Sequence, residues 1–295
     1  MSLQDLMLTL CLSVERSGFS PVPLTLSEWL TFKSAYVSSA LSEETLVSLS
    51  KAELQEKLAL PKELAERVFG LLRRDFALSF ALEDYKTKGI ALITYEHPLF
   101  PRALKTKLGL DCPPILCAAG DFALLEREGI GILSSRLVSE EDQAFASLTA
   151  EKILQQNKVL TLGGVSGIMG MLREKAIQCK GKVMVFMATP LCQSTPHNPH
   201  PTCPQGGLLV SLPAYVKGSF EERAILRNLC LLAFSKATVV VKAEDQRGST
   251  FMAVHKTLQQ KMSPVLCHAV KCHAGNTKLI QAGAVSIATN TPLIF

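Results

Sequence analysis

Lys158-Val159-Leu160-Thr161-Leu162-Gly163-Gly164-Val165-Ser166-Gly167-Ile168-Met169-Gly170 is the stretch on which the fold turns. Its short apolar run reads as a strand, its glycines as a tight turn, and the periodic residues 168–179 as a helix. Glycine at a strand-to-helix turn lets backbone approach a ligand closely, and the first N–H groups of the helix then face any anion placed there. Gly163, Gly164, Ser166 and Gly167 are therefore expected to form a phosphate cradle; a tight turn merely packed on a sheet stays open as the alternative. The spacing is not GxGxxG and no Walker lysine follows, so neither a dinucleotide enzyme nor a P-loop ATPase is supported.

The same alternation extends on both sides. The runs IALIT, GIGIL, KVMVFMA, GLLVSL, ATVVVKA, SPVLCHA and AVSIA alternate with amphipathic stretches at 143–156, 220–235 and 250–260. Strands regularly followed by helices predict an α/β fold over residues 89–295, a Rossmann-like doubly wound, mostly parallel sheet. Residues 1–88 read as a small all-helical N-terminal domain of the SAM or helix-hairpin-helix kind. Ser50 and Glu53 make a capping box with Leu49 and Leu54 as its hydrophobic staple. Pro61 suits the first turn of the next helix, where Leu64, Val68, Leu71 and Leu72 recur at helical spacing.

Composition sets outer bounds. With 47% hydrophobic and 19% charged residues in 295, the chain is neither disordered nor fibrous. Its apolar runs fall short of the roughly 18 residues of a membrane span, and MSLQDLMLTL lacks a basic leader segment, so a cytoplasmic protein without membrane contact is expected. Nine cysteines, an odd number in so long a chain, predict free thiols. Residues 1–88 carry 10 Lys+Arg against 12 Asp+Glu, and residues 89–295 carry 21 against 14. A basic second half suits an anionic partner, though a merely well-solvated surface fits equally.

Two further strand ends meet the glycine turn if the sheet is parallel, because ligands gather beyond the carboxyl ends of the strands. GIGIL is followed by Ser134, Ser135, Arg136 and Ser139, and ATVVVKA by Arg247, Gly248, Ser249 and Thr250. Taken singly each is also a plain helix cap. On the stretch 220–235, Arg223 and Arg227 share one helix face. The strand order places Arg223 nearer the ligand edge, with Arg227 reaching it only if its side chain bends back toward the helix N-terminus. Phe220 is the best base-stacking candidate, with a core position as its alternative.

In order, YEHPLFPRAL, PPILCAAGD, SSRLVS, LGGVSGIM, GLLVSLP, FEERAILRN, RGSTFMAV and GNTKLIQAGA resemble the motif series of the DprA/Smf family of DNA-processing proteins. The resemblance spans roughly residues 90–290. It implies binding of single-stranded DNA, a role in uptake of transforming DNA, and loading of a RecA-type recombinase, with a homodimer as an allowed assembly. It carries over to Arg136, Ser139, Gly163, Gly164, Gly167, Arg223, Arg227, Asn228, Gly248 and Thr250. Ser134, Met169 and Leu229 depart from the family pattern, and the winged-helix domain that many members carry is expected to be missing.

The competing class is a LOG-type nucleoside monophosphate phosphoribohydrolase, because LGGVSGIM also resembles the glycine-rich stretch of those enzymes. Their acid would fall where RGSTFMAVHK has Val254 and His255, so binding without hydrolysis is expected and no catalytic residue and no cofactor is assigned. A zinc site at Cys192, His197, His200 and Cys203 is weakly suggested, its prolines stiffening the loop against a four-ligand wrap. Cys267-His268 with Cys272-His273 is weaker still, since neighbouring residues on a strand point to opposite faces.

Overall fold

The structure, a computed structural model, describes residues 2–14, 21–164, 166–193, 206–213, 219–270, 273–289 and 291–294. Six helices come first: α1 (Leu3–Cys11), α2 (Leu26–Ser39), α3 (Glu43–Ser48), α4 (Lys51–Lys57), α5 (Lys62–Leu71) and α6 (Asp75–Thr87). The expected capping box opens α4: Ser50 Oγ accepts from Glu53 N at 3.3 Å and the Glu53 carboxylate accepts from Ser50 N at 2.9 Å. Pro61 stands one residue before α5, at its cap.

Among the described residues nine strands form one sheet: β1 (Ala91–Thr94), β2 (Ile115–Gly120), β3 (Gly129–Leu133), β4 (Val159–Gly163), β5 (Val183–Met187), β6 (Leu208–Ser211), β7 (Ala237–Val240), β8 (Val265–His268) and β9 (Val285–Ile287). Their order is β1-β2-β6-β5-β4-β3-β7-β8-β9. From β6 to β9 every pairing is parallel, while β1–β2 and β2–β6 are antiparallel. β3, β5 and β6 are buried along their whole length, as an apolar run covered on both faces must be. The sequence reading missed β2, whose run ILCAAG carries neither alternation nor a following helix.

Helices α7 (Arg102–Leu108), α8 (Glu140–Gln155), α9 (Ile168–Gln178), α10 (Phe220–Phe234), α11 (Gly248–Gln259) and α12 (Ala274–Gln281) cover the sheet. α8 packs with α9, and α10 packs on α7 and α11 and beneath β3, β4 and β5. The approach of α10 is close: a Cβ at Gly131 would meet Leu231 Cδ2 at 2.8 Å, and one at Gly129 would meet Phe234 at 2.7 Å. This contact puts the C-terminal half of α10, Asn228 to Phe234, in the core.

The buried apolar side chains make one continuous cluster from Leu6 to Ile287. Helical region and sheet are also tied by polar bonds, with Glu96 accepting from Trp29 Nε1 at 3.1 Å and from Lys33 Nζ at 2.8 Å. No helix among the described residues is long and apolar enough to cross a membrane.

Candidate nucleic-acid interface

Chain order runs outward from β3 in both directions, through β4 to β6 on one side and β7 to β9 on the other. In such a sheet the loops leaving the two strands at the reversal part to opposite faces and open a crevice between them. A cavity of about 610 Å³ lies there. Residues 133–136 enter it from β3, Gly163, Gly164, Ser166 and Gly167 from β4, residues 187–189 from β5, and Glu244 with residues 247–250 from β7. The first half of α10 closes it with Phe220, Glu221, Ala224, Arg227 and Asn228.

Two helices open on this cavity without a side-chain cap. α9 starts at Gly167 (φ +58°) and α11 at Arg247, followed by Gly248 (φ +76°), and neither has an acid in its first turn. Their first N–H groups and the positive ends of their dipoles are left for an anion. α8 and α10 differ: Ser139 with Asp142, and Ser219 with Glu222, close capping boxes on them. Gly164 adopts φ +100° and gives its own N–H to Phe186 O at 2.9 Å, so it shapes the turn rather than donating into the cavity.

Arg227 lies under the glycine turn. A Cβ at Gly164 would stand 3.0 Å from its Nη1, and one at Gly163 3.3 Å. A side chain at either position would push the guanidinium aside by a few tenths of an ångström, and at Gly164 the positive φ also favours glycine. Burial, and then the charge of Arg136, lower the pKa of Arg227 to about 10, so it remains a cation at neutral pH. Among the described residues its one hydrogen bond is a long one of 3.5 Å to Phe186 O, and no carboxylate pairs with it. Arg136 is exposed, 5.9 Å from the centre of the Phe220 ring, and Phe220 is itself 50% exposed at the start of α10. A cation beside an exposed aromatic face is a platform for stacking a base. Arg247 pairs with Glu244 at 3.5 Å in an exposed position, where such a pair contributes little.

Unpartnered polar atoms gather at the same place. Ser134 Oγ, Ser135 Oγ, Arg227 Nε, and both amide atoms of Asn228 are buried without a hydrogen-bond partner among the described residues. Each such group costs about 1–3 kcal/mol in a folded chain. A ligand that hydrogen-bonds them would recover that cost.

The structure thus brings together thirteen of the fifteen expected residues: Ser135, Arg136, Gly163, Gly164, Ser166, Gly167, Phe220, Arg227, Asn228, Arg247, Gly248, Ser249 and Thr250. Ser139 and Arg223 do not line the cavity. Ser139 caps α8, its Oγ accepting from Asp142 N at 3.2 Å. Arg223 lies one turn before Arg227, and of the two it is Arg227 that lines the cradle, by the backward lean toward the helix N-terminus on which its expected role depended. Thr250 is buried and donates its hydroxyl proton to Ser134 O at 3.2 Å, tying α11 to the loop after β3. The sequence reading did not name Met187, Ala188, Thr189, Glu221 and Glu244, and it placed Ser134 at the end of β3 without assigning it to the site. Residues 187–189 were recoverable from the rule that strand ends line the site, since they follow β5. Glu221 and Glu244 put two carboxylates at the rim. Of the weak zinc set, Cys192 is described and His197, His200 and Cys203 lie outside the described residues.

Residues 91–294 match the family described as DNA recombination-mediator protein A. The chain is 26% identical over 285 residues to the DNA processing protein DprA of Bacillus subtilis (strain 168), covering 94% of this chain and 91% of that protein. It has the fold of the DNA processing protein A of Streptococcus pneumoniae, with a TM-score of 0.69, 17% identity and 90% of each chain covered. A second solved structure, from Helicobacter pylori, concerns the single-stranded DNA binding mode of that organism's DNA processing protein A. It aligns with a TM-score of 0.54 and 18% identity over 67% of this chain and 90% of the other.

Proposed function

The chain belongs to the DNA recombination-mediator protein A family, and from that premise we propose that the cavity at the β3/β7 crevice binds the backbone of single-stranded DNA. The observation that carries this reading is the convergence of unpaired cationic and orphaned polar groups, Arg136, Arg227, Ser135 and Asn228, on two uncapped helix N-termini. Phosphate oxygens match the N–H donors, and the exposed Phe220 supplies a face for one base.

The protein acts by binding, as a DNA-processing factor in the uptake of transforming DNA that hands strands to a RecA-type recombinase. Residues 1–88 then form a helical unit and residues 89–295 the Rossmann-like unit that holds the strand; the assembly is a homodimer, and the compartment is the cytoplasm. The test is a titration with fluorescent single strands across salt concentrations. Affinity should fall linearly on a log–log plot with a slope set by the phosphates neutralised. Binding indifferent to salt, or absent at low salt, overturns the proposal.

One observation favours a second reading. Glu221 and Glu244 put carboxylates at the rim, as cleavage of a nucleoside monophosphate would require. Release of free base from nucleoside monophosphates above a protein-free control, lost in Glu244→Gln, would replace the first reading with this one.

A further inference from the structure

We propose that Asp142, His268 and His273 form a buried site for a divalent transition-metal ion of the zinc type, structural rather than catalytic. These residues lie outside the cavity: Asp142 is in the first turn of α8, His268 ends β8, and His273 immediately precedes α12. All are buried, at 1%, 1% and 3% exposure.

The spacing fits a ligand set. Asp142 Oδ1 lies 3.2 Å from His273 Nε2 and 3.9 Å from His268 Nδ1, and one donor atom from each residue lies within 4.8 Å of the other two. Zinc bonds of about 2.0–2.1 Å at tetrahedral angles separate neighbouring donors by about 3.3 Å. The separation of 3.2 Å from His273 matches that value, and the 3.9 Å from His268 would close by about half an ångström on binding.

Orientation supports the same conclusion. The His268 ring is stacked on Phe145, ring centres 3.7 Å apart, and its Nε2 lies 3.2 Å from Thr289 Oγ1. A ligating histidine normally ties its second nitrogen to such an outer partner, which fixes the ring and frees the other nitrogen for the metal. That other nitrogen, Nδ1, faces Asp142 with no hydrogen-bond partner among the described residues. Asp142 is likewise divided: Oδ2 accepts from Ser139 N at 3.0 Å, leaving Oδ1 for the imidazoles. Two imidazoles and one carboxylate suit zinc, cobalt or nickel better than magnesium or calcium. Full burial leaves no place for a substrate, so the ion would hold α8, and the preceding loop that carries Arg136, to the end of β8 and the start of α12.

The test uses the full chain, treated with chelator and then titrated with Co²⁺ as an optical probe and Zn²⁺ as competitor. One equivalent per chain is expected, with visible ligand-field bands, no thiolate charge-transfer band, displacement by Zn²⁺, and at least a hundredfold weaker binding in both Asp142→Asn and His273→Gln. Zn²⁺ should raise the unfolding midpoint of the wild type alone. No binding means the three residues are only a buried polar tie, and the proposal fails. Undiminished binding in either variant, or thiolate bands pointing to cysteines, also overturns it. Should the variants not fold by circular dichroism, X-ray absorption of the zinc-loaded wild type decides. A shell of nitrogen and oxygen with imidazole scattering supports the site, and sulfur in the shell overturns it.

Discussion

Three helices of the helical region and two at the cavity edge satisfy their N-termini in opposite ways. α1, α2 and α4 open with closed capping boxes, Ser2 with Asp5, Thr25 with Glu28, and Ser50 with Glu53. Arg67 donates to both carboxylate oxygens of Glu28 and to the carbonyls of Val22 and Pro23. The buried Arg74 gives Nη2 to Thr9 O and Leu12 O at 2.6 Å, while its Nε and Nη1 have no hydrogen-bond partner among the described residues. At the cavity α9 and α11 have no side-chain cap, and Arg227 has no described carboxylate. α7 and α12 also open without cap or acid, so it is the coincidence of uncapped N-termini with the unpartnered groups of Arg227, Ser135 and Asn228 that marks the cavity as a binding site.

The largest effect should come from Arg227→Ala, which ought to weaken single-stranded DNA binding ten- to a hundredfold, about 1.4–2.8 kcal/mol. Since burial already disfavours that charge in the folded chain, the unfolding midpoint should stay level or rise. A clear drop in midpoint with unchanged affinity would make Arg227 a structural residue and erase the contrast. Ser249→Asp adds the missing acid to the first turn of α11; it should cost about tenfold in DNA affinity while raising stability by about 0.5 kcal/mol. Binding isotherms and thermal melts on the same preparation check both signs. In the helical region the pattern should invert. Arg67→Ala is expected to lower stability by about 1 kcal/mol, a value already reduced for its partial exposure, and to leave DNA affinity alone. Ser50→Ala should do the same by about 0.5–1 kcal/mol, read from urea midpoints. Loss of DNA binding in either variant would show that the helical region takes part in the interface.

The parallel half of the sheet was legible because each strand there is a continuous buried run followed by a helix, and a strand-to-helix glycine turn has few other uses. The antiparallel β2 was not, because its partners β1 and β6 are fixed by long-range pairing that leaves no local period in ILCAAG. Arg223 and Arg227 were singled out together, and the condition set for Arg227, a long side chain leaning toward the helix N-terminus, is what brings it to the cavity. Glu244 escaped notice because the search for an acid followed motif spacing along α11, whereas the loop before that helix delivers it. His268 and His273 were set aside on strand alternation, which governs neighbours within β8 but not a residue beyond its end.

The antiparallel edge also orders events in time. β2 finds its second partner in β6 through Cys117 opposite Ser211, roughly ninety residues later in the chain. During synthesis the six helices and the β1–β2 hairpin emerge first, yet one side of β2 has nothing to pair with until β6 leaves the ribosome. At about 5–20 residues per second that interval is some five to twenty seconds. For that long the nascent chain carries an open strand edge, the surface on which two growing copies would pair wrongly. A pause in translation between residues 120 and 208 should therefore lower the yield of folded protein more than an equal pause after residue 211.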